Sequence, residues 1–162
     1  MKTKVLIILL LFSYTMYGQD DTYQKDKEHH YVGIGLGITT GYGLSYRYLS
    51  NKFGFQVNYA PFYYRNEGSA FSLGGTVLYK FNESENKKLL IYFSNTLLSS
   101  KSIHRNLWGL EDSENFNTGL GLDVEFFTTQ KFVMNVMGGF QSYNSFEKIT
   151  FTWEIGFHYR IQ

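Results

Sequence analysis

Residues 32–38 read Val32-Gly33-Ile34-Gly35-Leu36-Gly37-Ile38, with a large aliphatic at every even position and glycine at every odd one. A repeat of two puts alternate side chains on opposite faces of an extended chain, whereas a helix would spread them round its circumference. The segment is therefore a strand with one apolar face and one bare face. The same period returns along the chain: Tyr42, Leu44, Tyr46 and Tyr48 oppose Gly43, Ser45 and Arg47. After a turn at 50–52, Phe53, Phe55, Val57 and Tyr59 oppose Gly54, Gln56, Asn58 and Ala60. Beyond the loop 65–69, with Pro61 near its start, Phe71, Leu73, Val77, Tyr79 and Phe81 oppose Ser72, Gly74, Thr76 and Lys80.

Residues 89–98 form a fifth strand whose facing stays open, because both faces are apolar at first. A sixth sets Phe116, Leu120, Leu122, Val124 and Phe126 against Asn117, Gly119, Gly121, Asp123 and Glu125. A seventh sets Phe132, Met134, Val136 and Phe140 against Asn135, Gly139 and Gln141. The last sets Phe151, Trp153, Ile155, Phe157, Tyr159 and Ile161 against Thr150, Thr152, Glu154, Gly156, His158 and Arg160. Fourteen Tyr, fifteen Phe and sixteen Gly against one Pro suit strands and disfavour helices.

The polar face decides the environment. Glycine, serine, asparagine, threonine and charges are too small and too polar to make a dry core, so the apolar face looks outward, into lipid. Lipid cannot satisfy free backbone groups, so the sheet must close. The expectation is an all-β chain forming an eight-stranded antiparallel up-and-down transmembrane β-barrel over residues 31–162. Turns 50–52, 82–88 and 128–131 then lie on the periplasmic side, and 39–42, 64–69, 99–114 and 143–148 face outward. The rival with inverted faces is a soluble periplasmic lipocalin-like barrel holding a ligand.

The first eighteen residues differ from the rest: Lys2 and Lys4 precede an apolar run at 5–12 and a weaker polar stretch ending at Gly18. This is the pattern of a cleaved export signal, too short to span a bilayer as a helix. Residues 19–30, polar and without period, read as a flexible periplasmic lead-in. The chain has no cysteine, so disulfides, thiolate metal sites and a cysteine nucleophile are excluded. Fifteen basic side chains face fourteen acidic ones, and loss of Lys2 and Lys4 leaves thirteen, a balance that argues against a nucleic-acid partner.

With its signal, alternating strands and terminal Trp153-Glu154-Ile155-Gly156-Phe157-His158-Tyr159-Arg160-Ile161-Gln162, the chain resembles the small outer-membrane β-barrels labelled porin-like or OmpA-like. In that family the last strand is read by the barrel-assembly machinery as alternating hydrophobics ending in an aromatic. Ile155, Phe157, Tyr159 and Ile161 match the spacing, but the last residue is Gln162. The resemblance implies a bacterial outer-membrane location, surrounding lipid as partner and no cofactor.

The inward-facing ionisable residues are Arg47, Lys80, Asp123, Glu125, Glu154, His158 and Arg160. Charges inside a narrow barrel are costly unless paired, so they are expected to form a salt-bridged network filling the lumen. The loop 99–114 groups Lys101, His104, Arg105 and Trp108 with apolar and acidic neighbours, a mixture suited to an extracellular partner or to anchoring at the rim. Some barrels of this size modify the acyl chains of lipid A, but Ser102-Ile103-His104-Arg105-Asn106 lacks the deacylase order His-x-Ser-Asn. His29-His30 point apart in an extended chain and lack a third metal ligand. The expected role is structural or surface-interacting, without enzymatic activity, passing at most very small solutes.

Overall fold

The alternation produces eight antiparallel strands: β1 (His29–Gly37), β2 (Gly41–Ser50), β3 (Phe53–Tyr64), β4 (Gly68–Ser84), β5 (Lys87–Ser102), β6 (Ser113–Phe127), β7 (Phe132–Tyr143) and β8 (Lys148–Arg160). The computed structural model describes residues 28–64, 68–102, 113–129, 131–143 and 148–161. The export signal, residues 19–27 of the lead-in, and His104, Arg105 and Trp108 lie outside them. Each strand pairs with its chain neighbours, and β8 returns to pair with β1, closing an up-and-down transmembrane barrel.

The stagger sets the bore. Followed through facing partners, Tyr31 leads by way of Arg47, Gln56, Thr76, Ser94, Gly119 and Gln141 to Thr150, yet Tyr31 itself faces Arg160, ten residues further (160 less 150). Eight strands with that stagger tilt by roughly 40° and enclose a tube of about 8 Å radius to the backbone, which side chains can fill.

Outside, the wall is apolar from rim to rim. Leu44, Phe55, Val77, Phe93, Leu120, Phe140 and Trp153 are all exposed, Leu44 and Trp153 by 71%. Such a surface belongs in hydrocarbon and would aggregate in water. Aromatic contacts gather at the end carrying the β2–β3 turn, with Tyr48 on Phe55 at 5.5 Å, Phe53 on Tyr79 at 5.3 Å and Phe132 on Phe157 at 6.4 Å. Toward the opposite end Phe140 meets Phe151 edge-on at 6.2 Å.

Several boundaries differ from those read in the sequence. Strand β1 starts at His29, so the last two lead-in residues belong to the barrel. The charged stretch 82–88 is almost all strand, leaving only a two-residue turn at 85–86. The loop 99–114 shrinks, because β5 runs to Ser102 and β6 begins at Ser113. Backbone pairing, not polarity, fixes where a strand ends, and polar residues above the bilayer pair as well as apolar ones.

The open facing of β5 is settled: Lys88, Leu90, Tyr92, Ser94 and Thr96 point inward, Ile91 and Phe93 outward. The lumen is also less polar than its stripe suggested. Tyr31, Leu49, Leu78, Leu90, Tyr92, Val133 and Met137 pack together inside it. These residues sit where consecutive apolar positions, as in Leu78-Tyr79 and Leu89-Leu90-Ile91-Tyr92, hide the two-residue period. The rim is uneven, with 9 and 10 residues in β1 and β2 against 17, 16 and 15 in β4, β5 and β6.

Candidate functional site

In an eight-membered ring β2 and β6 lie opposite one another, and Arg47 on β2 crosses the bore to reach β6. Its guanidinium donates to Asp123 and to Gln56 Oε1 at 3.1 Å, and stands 3.0 Å from Glu125 Oε1. Asn135 Nδ2 on β7 donates to the other Asp123 oxygen at 3.2 Å. Arg47, Asp123 and Glu125 are all buried. Out of water, ions of this kind persist only when charges and hydrogen bonds are matched, and the planar, five-donor guanidinium suits the task.

A second cluster gathers inside the bore around the β1–β2 turn. The sequence placed residues 39–42 on the outward side, but the turn at 38–40 folds back into the bore, and Thr39 and Thr40 are 0% and 2% exposed. Glu154 Oε1 on β8 accepts the backbone N–H of Thr39 at 3.0 Å, that of Thr40 at 3.2 Å, and the Thr39 hydroxyl. Thr96 donates its hydroxyl to Thr39 O, and Asn58 Nδ2 donates to Thr40 O at 2.9 Å and Gly41 O at 3.0 Å. An inverted turn would strand its backbone donors in the lumen, and the carboxylate supplies what water would.

Glycines make the room. A Cβ at Gly74 would sit 1.8 Å from Thr40 O, and one at Gly119 would sit 2.7 Å from Thr39 Cβ. Gly43 holds φ +117, outside the reach of ordinary side chains, where β2 leaves the turn. Because Gln56 Nε2 donates to Asn58 Oδ1 at 3.2 Å, one polar chain runs from Asp123 through Arg47, Gln56 and Asn58 to the turn and Glu154.

The remaining inward residues separate from this chain. Lys80 pairs with Glu83 near the β4–β5 turn, where Lys88 Nζ also reaches Glu83 Oε1 at 3.1 Å. Arg160 lies over the Tyr31 and Phe127 rings at 5.6 and 5.9 Å. His158 Nε2 is hydrogen-bonded to Ser45 Oγ at 2.9 Å, but its Nδ1 has no partner among the described residues. A serine nucleophile needs a histidine oriented from its far nitrogen by a third group, which this pair lacks. Lys101 falls near the end of β5.

Sequence reasoning missed Glu83, Lys88, Thr39, Thr40, Gln56 and Asn58 as site residues. The ladder skips Phe81 between Lys80 and Asn82, and that slip of one residue turns Glu83 from the outer to the inner face. Nothing in composition marks such a bulge. Gln56 and Asn58 were on the polar stripe, and buried amides there had to find partners.

No protein-family model and no curated protein matches the chain. Among solved structures it is similar to the N-terminal β-barrel domain of OprF from Pseudomonas aeruginosa, with TM-score 0.51 and 16% identity, covering 85% of this chain and 98% of that one. It is also similar to Ail, the attachment invasion locus protein of Yersinia pestis, with TM-score 0.50 and 15% identity over 85% of this chain and 100% of that one. At such identities the likeness is one of fold. Together with the apolar wall, it gives the class: a membrane-spanning β-barrel. The chain has the fold of the small eight-stranded outer-membrane barrels.

Proposed function

We propose that the protein is exported behind a cleaved signal, inserted by the barrel-assembly machinery into a bacterial outer membrane, and serves there as a sealed structural or surface-interaction element without enzymatic activity. The observation that carries this reading is the turn at 38–40 held inside the bore by Glu154, above the Arg47, Asp123 and Glu125 group. A conduit would need a continuous wet path, and among the described residues the 38–40 turn, the Arg47, Asp123 and Glu125 group and the apolar cluster around Leu90 and Met137 all occupy the bore. In this reading Lys101 near the end of β5 and the following His104, Arg105 and Trp108 are the surface offered to an external partner.

Conductance tests the reading. Protein reconstituted in a planar bilayer should give no channel steps in molar potassium chloride, whereas steady open-channel steps would overturn the sealed barrel. Deleting the gene should leave the acylation pattern of lipid A unchanged by mass spectrometry. A changed pattern would replace the structural role with an enzymatic one.

A further inference from the structure

The inverted turn has a second effect, on the outer wall. The β1–β8 ladder ends at Leu36 facing Ile155, although β8 continues to Lys148. Ile161 N donates toward β1, to His30 O at 2.9 Å, and Arg160 N toward β7, to Lys131 O at 2.7 Å. Alternation along β8 therefore aims the backbone groups of Trp153 and Phe151 at the side where β1 has already turned into the lumen. A notch opens there, with a cavity of about 510 Å³ bounded by wall-facing Leu36, Trp153 and Ile155 and by lumen-facing Gln141, Thr150 and Thr152. That volume falls within the range of small-molecule sites, roughly 300–1,000 Å³.

The lining is amphipathic and incompletely satisfied. Gln141 is 3% exposed and donates Nε2 to Thr150 Oγ1 at 3.1 Å, but its Oε1 has no partner among the described residues. The edge of β8 past Ile155 and the amide oxygen of Gln141 call for polar partners, while Leu36, Trp153 and Ile155 call for hydrocarbon, so the fitting occupant carries both. Lipid of the surrounding leaflet is what meets this wall.

We propose that the notch between β1 and β8 binds one acyl chain of an outer-leaflet lipid, its hydrocarbon along Leu36, Trp153 and Ile155 and its polar linkage at Gln141 and the free edge of β8. The inference rests on the membrane placement above. It is tested by native mass spectrometry of the protein folded in octylglucoside with dimyristoyl phosphatidylglycerol as probe. One lipid should stay bound after the detergent is stripped. Gln141→Leu should lower its occupancy roughly tenfold, the equivalent of one lost hydrogen bond. Phe93→Ala, on a distant part of the wall, should change nothing.

No retained lipid, or several retained indifferently to Gln141→Leu, overturns the proposal. In the unmodified protein, phosphatidylglycerol carrying a chain diazirine should label residues 149–155 in excess of residues 71–79, and even labelling round the wall also overturns it. Electrophoresis of the same sample with and without boiling separates the failures. A heat-dependent shift without retained lipid removes the notch alone, and no shift removes the barrel with it.

Discussion

Glu154 Oε1 accepts the backbone N–H of Thr39 at 3.0 Å across 115 positions of sequence, tying the first hairpin turn to the last strand inside the bore. The bond holds the turn in the bore beside the point where the β1–β8 ladder stops at Leu36 and Ile155. Glu154→Ala removes the acceptor of two backbone N–H groups and of the Thr39 hydroxyl. The expected loss is about 2–3 kcal/mol, in the range for hydrogen bonds to a charged group, read as a lower urea midpoint of the barrel folded in vesicles. Glu154→Gln keeps an oxygen in place and should lose less.

Gly74→Ala asks whether the turn needs the space that glycine leaves. The added methyl would stand 1.8 Å from Thr40 O, against backbone that cannot swing aside. The turn should leave the bore, seen as loss of hydrogen-exchange protection at the Thr39 and Thr40 amides and as the first appearance of small conductance steps. Protected amides and a silent bilayer would mean that the turn is held by something other than this packing.

Arg47→Met tests the charge group. It leaves Asp123 and Glu125 buried without their cation, a change worth about 3–5 kcal/mol in other buried pairs. Adding Asp123→Asn and Glu125→Gln should restore part of that loss, because neutral amides need no counter-charge. Additive losses would show that the three do not act as one group.

The two faces of one strand make opposite predictions. Tyr92 and Leu90 point into the lumen at 0% exposure, while Phe93 is 47% exposed on the wall. Leu90→Ala should cost about 2–5 kcal/mol through the cavity it leaves, and Phe93→Ala clearly less, since lipid fills the space. Equal costs would contradict the assignment of faces.

How far the sequence carried this account follows from where its period is visible. Val32 to Ile38 alternates without a break, and the fold, the direction of the wall and the inward set around Arg47, Asp123 and Glu154 are all legible from such stretches. The pattern fails where both faces are apolar, as at Leu89 to Tyr92, because the lumen itself holds an apolar cluster. It fails again at Phe81, where a bulge changes faces without changing composition. Thr39 and Thr40 read as an ordinary polar turn, since folding inward depends on Glu154, Asn58 and Thr96 from three other strands. Contacts between distant strands leave no periodic mark, and those contacts make the site.

The large apolar side chains of the barrel face lipid on a closed sheet. Electrophoretic mobility of the protein recovered from the outer-membrane fraction, with and without boiling in detergent, tests this arrangement most directly. The account predicts one band in unheated detergent that shifts to a different mobility on boiling, as the closed sheet resists detergent until heated. A single heat-independent mobility, with the protein found in the soluble periplasm, would contradict it and put the apolar face inside.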